Sequence, residues 1–218
     1  MPKMLFVLTS RRGFDFVEMA TPYYLLQDAD IPVILTSIAG GTPHPDPSSL
    51  DSNNSKNNRP DTRRFLNDIE AMYKLENTNP VESYDMRNFN GIYFVGGPGA
   101  AQDFPFFKPL QDIIIQAYTG EKIIGAAGYG AASLIGVKLK GEYIVKSRHI
   151  ATIESRLQKY GALISNQDNG SPYCVEDWPF VTAQNFASAR VLGETLRNRI
   201  LTPSGRVSRQ SLRERARR

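Results

Sequence analysis

The segment Ile123-Ile-Gly-Ala-Ala-Gly-Tyr-Gly-Ala-Ala-Ser-Leu134 is the part of this chain most suggestive of chemistry. It reads as an apolar strand that breaks into a turn of small residues and opens a helix. This is the shape of a nucleophile elbow, in which a Ser or Cys is held above a sheet at a strained backbone position, beside amides that can stabilise developing negative charge. The elbow position falls on Gly128, followed by Tyr129, and a covalent route through a carbonyl finds neither an activated thiol or hydroxyl nor a base of near-neutral pKa there. A phenol ordinarily titrates at about pH 10 and is a poor base without a cationic neighbour. Cys174 is the single cysteine, with Tyr173 and Val175 beside it; it reads as a half-buried structural thiol or, alternatively, as a relocated nucleophile that would need a histidine nearby. His149 stands at a strand entrance and His44 in a long loop, and two histidines and one cysteine so widely separated form no zinc-ligand spacing.

The elements that would position these residues follow from apolar patterning. Met4–Leu8 is a strand, followed by a polar loop through Gly13, and Phe14, Val17, Ala20, Tyr24 and Leu25 recur at the spacing of a helix with one apolar face. Ile31–Ser37 is a β-branched strand; residues 39–60, rich in Gly, Pro, Asp and Asn, predict a long loop without regular structure. Asp61 is placed to cap an inserted helix over 61–76, with Phe65, Ile69, Met72 and Tyr73 on its buried side. Ile92–Val95 enters the turn Gly96-Gly97-Pro98-Gly99, 110–118 is helical, and 122–126 is the strand that feeds the elbow. Beyond Leu134 the pattern predicts strands over 150–153, 162–165 and 180–182, a short helix over 154–160, and a last helix over 187–198 that follows Gln184-Asn185. Strands alternating with helices, and bounded by apolar runs without strict alternation, predict an α/β flavodoxin-like three-layer sandwich: a mostly parallel central sheet covered by helices on both faces. Its ligand site is expected at the C-terminal ends of the strands, among the Gly13, Gly96–Gly99 and Gly128 loops.

With 218 residues, 41% of them apolar, one core is the default, and residues 1–200 are expected to form a single domain. No run is long enough for a membrane span, and with one cysteine no internal disulfide can form, so a soluble, cytoplasmic protein is expected. The formal charge is +4, but residues 206–218 hold six arginines and one glutamate; that tail alone carries +5 and the rest −1. Residues 201–218 therefore read as a flexible basic tail able to contact acidic surfaces, which weakens a general nucleic-acid reading. Gly96–Gly99 lacks both the Rossmann and the P-loop spacing, and no cofactor is expected.

Taken together, the loops resemble the DJ-1/PfpI superfamily of the class I glutamine amidotransferase-like fold, in particular its Hsp31-like branch of chaperones and glutathione-independent glyoxalases. The resemblance runs from Met4 to about Arg197. It is carried by Ala39–Pro43 through Asp46–Asp51, Glu18 with Pro22-Tyr23, Arg64-Phe65-Leu66, Gly96-Gly97 with Asp103 and Pro105, and Thr182 with Gln184-Asn185. By this resemblance the family's cysteine falls on Gly128, its adjacent histidine on Tyr129 and its second loop histidine on Pro98. The carboxylate that helps set the cysteine thiolate falls on Glu18, and a further acidic position falls near Glu154. The resemblance thus implies a homodimeric pseudoenzyme for cysteine-dependent glyoxalase, protease or amidotransferase chemistry, acting by small-molecule binding, chaperone-like action on client proteins or assembly. The pocket would be formed by Gly96, Gly97, Pro98, Gly99, Gly128, Gln184 and Asn185. Two enzymatic alternatives stay open: a noncovalent lyase, isomerase or hydratase acting on a small carbonyl metabolite through Glu18 and Tyr129, and a glyoxalase-like enzyme using Cys174.

Overall fold

A computed structural model describes residues 2–50, 59–168 and 170–202. Its main sheet has seven strands in the order β10-β11-β5-β4-β1-β2-β3: β1 (Met4–Leu8), β2 (Val33–Ser37), β3 (Asn79–Pro80), β4 (Gly91–Phe94), β5 (Ile123–Ala127), β10 (Cys174–Asp177) and β11 (Phe180–Ala183). Every pairing is parallel except β10 with β11. Two smaller pairs lie between β5 and β10 in the chain: β6 (Lys138–Leu139) with β7 (Glu142–Tyr143), and β8 (His149–Ile150) with β9 (Leu163–Ile164).

The apolar runs of β1 and β4 are buried along their whole length because helices cover both sheet faces. Met4, Phe6 and Leu8 face a core shared with α1 (Phe16–Gln27), α3 (Pro60–Asn67), α4 (Ile69–Glu76) and α7 (Ala189–Leu201). Leu5 and Val7 face the opposite core, built on α5 (Ala100–Asp103), α6 (Lys108–Thr119) and the turn after β5. This is the α/β sandwich expected from the alternation of strands and helices.

Several expectations are corrected. Helix α1 is buried nearly all round rather than on one face, because the sheet, α3 and α7 enclose it. The single helix expected over 61–76 is two helices. Arg59, not Asp61, precedes the first, and Asp68 breaks the chain with extended backbone while its carboxylate accepts the Ala71 N–H at 3.0 Å and the Tyr24 hydroxyl at 2.9 Å. The break rotates the second helix, leaving Ile69 87% and Tyr73 66% exposed and burying Ala71 and Leu75 instead. Residues 39–50 are not without structure. They contain the helical turn α2 (Pro47–Leu50) and are pinned to the start of α1 by Gly13 N–H to His44 O (3.0 Å), Asp46 N–H to Phe14 O (2.8 Å) and Phe16 N–H to Ser49 Oγ (3.1 Å). Residues 51–58 and the basic tail from 203 onward lie outside the described residues. The elbow opens not an α-helix but a 3₁₀ turn over Gly128–Leu134, the strand expected over 150–153 shortens to β8, and β10 was not anticipated.

Candidate functional site

Three loops at the C-terminal ends of β1, β4 and β5 meet around Glu18. Asp15 caps α1, accepting the N–H groups of Val17 (2.9 Å) and Glu18 (3.0 Å). An Asp-x-x-Glu start usually lets the glutamate reach back to the cap's own amide. Here that amide is already given to Gly96 O at 2.8 Å, and Glu18 is free to turn inward. The buried Tyr93 hydroxyl donates to Glu18 O at 2.7 Å and fixes this turn of α1 to β4.

The Glu18 carboxyl is wedged between two glycines. A Cβ at Gly96 would lie 2.2 Å from Oε2, and a Cβ at Gly128 would lie 2.9 Å from Oε1. Gly128 has φ +47, the left-handed region that glycine adopts at little cost. Glu18 is 3% exposed and its Oε2 has no hydrogen-bond partner among the described residues. Burial, followed by the Asp15 carboxylate, pushes the Glu18 pKa well above the ordinary carboxylate range, against the opposing effect of the Gly96 N–H. Burial also raises the pKa of Asp15, although the two amides it caps favour its charged form. A proton held on Glu18 makes it a neutral acid in a dry setting.

The residues expected to line the pocket divide. Gly96, Gly97 and Gly128 are buried with Glu18, Gly99 is buried against Thr9, Pro98 is exposed and Tyr129 is half-buried. Gln184 serves as a loop brace: its Oε1 accepts the Gln167 N–H at 2.8 Å, and its Nε2 donates to Ser171 O at 3.2 Å. Asn185 Oδ1 accepts from the Ser188 hydroxyl at 3.2 Å. Thr152 donates to Gly128 O at 2.7 Å and ties the elbow to the segment carrying Glu154. Glu154, also buried, pairs with Arg156 at 2.5 Å; Arg156 reaches across to Ala101 O at 2.9 Å and lies within electrostatic range of Tyr129.

Cys174 pairs with Ala183, which is level with Ala127, so the thiol stands about two strand spacings, ~10 Å, from the elbow. Burial pushes its pKa up to about 12, with the Thr195 hydroxyl pulling the other way, so the thiol form is strongly favoured. His44 and His149 are exposed, and His149 sits 3.3 Å from Ser165 Oγ. Among the described residues no group of three or more His, Cys, Asp or Glu is placed to hold a metal ion, and no helix is long and apolar enough to cross a membrane. Tyr93 and Asp15 were missed as site residues. Tyr93 reads as core in the sequence, whereas the Asp15-x-x-Glu18 spacing was a readable capping signal.

The fold is shared with known structures. The rapid encystment protein REP24 of Francisella tularensis superposes with a TM-score of 0.86 at 24% identity, over 92% of this chain and 99% of that one. Glyoxalase III of Candida albicans gives 0.79 at 20% identity, over 89% and 95%. A ThiJ/PfpI domain protein of Brachyspira murdochii gives 0.69 at 16% identity, over 93% and 98%. The fold is that of the DJ-1/ThiJ/PfpI superfamily. In sequence, the glutathione-independent glyoxalase hsp3101 of Schizosaccharomyces pombe is 28% identical over 123 residues, 56% of this chain and 49% of that protein. The matched stretch is therefore about half the length of that curated relative. No family model matches the chain. Within the DJ-1/ThiJ/PfpI fold, the β5 elbow of this chain presents glycine and a buried carboxyl.

Proposed function

We propose that this chain is an Hsp31-like pseudoenzyme of the DJ-1/PfpI type, in which Gly128 and Tyr129 stand at the nucleophile and histidine positions, and that it acts by binding: of small molecules, of client proteins or in assembly as a homodimer. One observation carries this reading. The elbow residue Gly128 carries no thiol or hydroxyl, and the nearest atom to the point where its side chain would begin is Glu18 Oε1 at 2.9 Å, so a carboxyl and no nucleophile stands at this turn. The high pKa of Cys174 argues in the same direction. The test is turnover of a panel of small carbonyl compounds, glyoxal among them because two of the similar proteins are named glyoxalases. It is run beside protection of a heat-denatured client and measurement of solution mass. No turnover, together with client protection or a dimeric mass, is the expected result; turnover by the wild type overturns it.

A second reading is favoured by the raised pKa and unbonded Oε2 of Glu18, which together describe a general acid for noncovalent lyase, isomerase or hydratase chemistry. It predicts turnover that survives Cys174→Ser and disappears in Glu18→Gln.

A further inference from the structure

An open surface cleft of about 420 Å³ shares none of the elbow's residues. It opens where β1 and β2 end, between the loop Thr9–Arg12, residues Ile38-Ala39 and the segment Asp103–Phe107 that follows the Gly96–Gly99 turn. That volume is in the range of small-molecule sites, ~300–1,000 Å³.

The walls are of two kinds. Asp103 Oδ2 accepts from the Thr9 hydroxyl (2.8 Å) and from the backbone N–H groups of Ser10 (2.8 Å) and Arg11 (3.2 Å), which holds the polar wall in place, while its Oδ1 is buried without a partner among the described residues and burial pushes the group's pKa up. Ser10 Oγ accepts the Ala39 N–H at 2.7 Å, which leaves its own hydrogen free to donate. The Arg11 guanidinium is exposed, with no hydrogen bond or ion pair among the described residues. The opposite wall is apolar, formed by Ile38, Phe106 and the half-buried Phe107.

Phe106 is the unusual member. It has φ +61, a conformation in which a bulky side chain is an outlier, and yet the ring is 63% exposed. One ring edge lies over Gly136, where an added Cβ would be 2.8 Å from it. A strained backbone that holds a largely exposed aromatic ring beside a cleft is not explained by core packing.

We propose that this cleft binds a small organic anion with an aromatic body, the anionic group meeting Arg11 and the Ser10 hydroxyl and the ring lying against Phe106, Phe107 and Ile38. A carboxylate suits the forked guanidinium, and a ring suits the apolar wall. The inference gives the binding role above a ligand class, but it uses no residue of the elbow; its failure would leave the reading of Gly128 and Glu18, tested by carbonyl turnover, untouched.

The experiment is titration of the full-length chain with 3-phenylpropanoate, followed by calorimetry and by chemical-shift changes at residues 10–11 and 106–107. Propanoate and 3-phenylpropan-1-ol serve as the ligands lacking the ring and the charge. Saturable binding is expected, about ten-fold or more tighter than for either control, and weakened about ten-fold by Arg11→Gln. Phe106→Gly should weaken it similarly without lowering the thermal midpoint, because glycine relieves the positive φ. Affinity unchanged in Arg11→Gln, the result expected if the arginine-rich tail were the binder, overturns the proposal. So do equal affinities for the alcohol and the acid, Phe106→Gly binding as tightly as wild type, or absence of saturation.

Discussion

The Glu18 carboxyl sits in a space closed to water, with one oxygen unbonded and the Asp15 carboxylate three residues before it. Its effect on stability has a definite sign. Unfolded, the group titrates near its ordinary value of 4.5; folded, it titrates well above that. Below the unfolded value both states are protonated and the full stability is present. As pH rises through the interval, the unfolded chain ionises first and stability falls by about 1.4 kcal/mol per pH unit, levelling off once the folded form also ionises. Glu18→Gln should remove that slope, leaving the smaller slope in the same direction that Asp15 contributes. Urea unfolding at a series of pH values measures both, and an unchanged profile would show that Glu18 ionises freely when folded. Gly128→Cys places a Cβ against Glu18 Oε1 and a non-glycine residue in the left-handed region, so it should lower stability by about 1–3 kcal/mol. The same substitution in a Glu18→Ala background should cost less, and a double-mutant cycle gives the coupling. Residue types alone offer a glutamate and a glycine 110 positions apart; the family resemblance sets them at one site, and the fold supplies the contact and the burial.

The elements show which sequence signals held and which failed. The runs that became β1, β2, β4 and β5 were legible because strands buried on both faces need nearly continuous apolar side chains, and the glycines after β4 and β5 marked the turns. The inserted helix failed because apolar spacing runs through Asp68 without interruption; the break comes from a cap whose partner, Tyr24, lies on another element. Asp68→Ala removes the Ala71 N–H acceptor and the Tyr24 hydrogen bond together, so it should destabilise the chain by about 1–2 kcal/mol, more than Tyr24→Phe. Comparison of chemical denaturation midpoints decides this. Strand β10 escaped notice because Cys174-Val-Glu-Asp177 has little of the apolar character of a central strand; it is an edge strand, half-buried and held antiparallel to β11.

At the scale of the whole molecule, α1 joins the parts. It is enclosed by the sheet, α3 and α7, it carries Glu18, and residues 39–50 are bonded to its start. Opening the site on this side therefore means disturbing a helix enclosed nearly all round. Cys174 can report on such opening: its high pKa and burial predict slow reaction with a thiol reagent in the native chain and fast reaction in denaturant. Rapid native labelling would mean that the β10 edge frays independently of the rest. The two edges of the main sheet also bear on self-association. One is β3, only two residues long and ending in Pro80, which has no amide hydrogen to offer; the other is β10, which carries Glu176 and Asp177. A short proline-ended strand at one margin opposes the addition of a neighbour's strand, and at the other the carboxylates are held in ion pairs, Glu176 with Arg199 and Asp177 with Arg148. If two copies associate, the contact should run through helices or loops, and the sheet should remain seven strands wide in each copy.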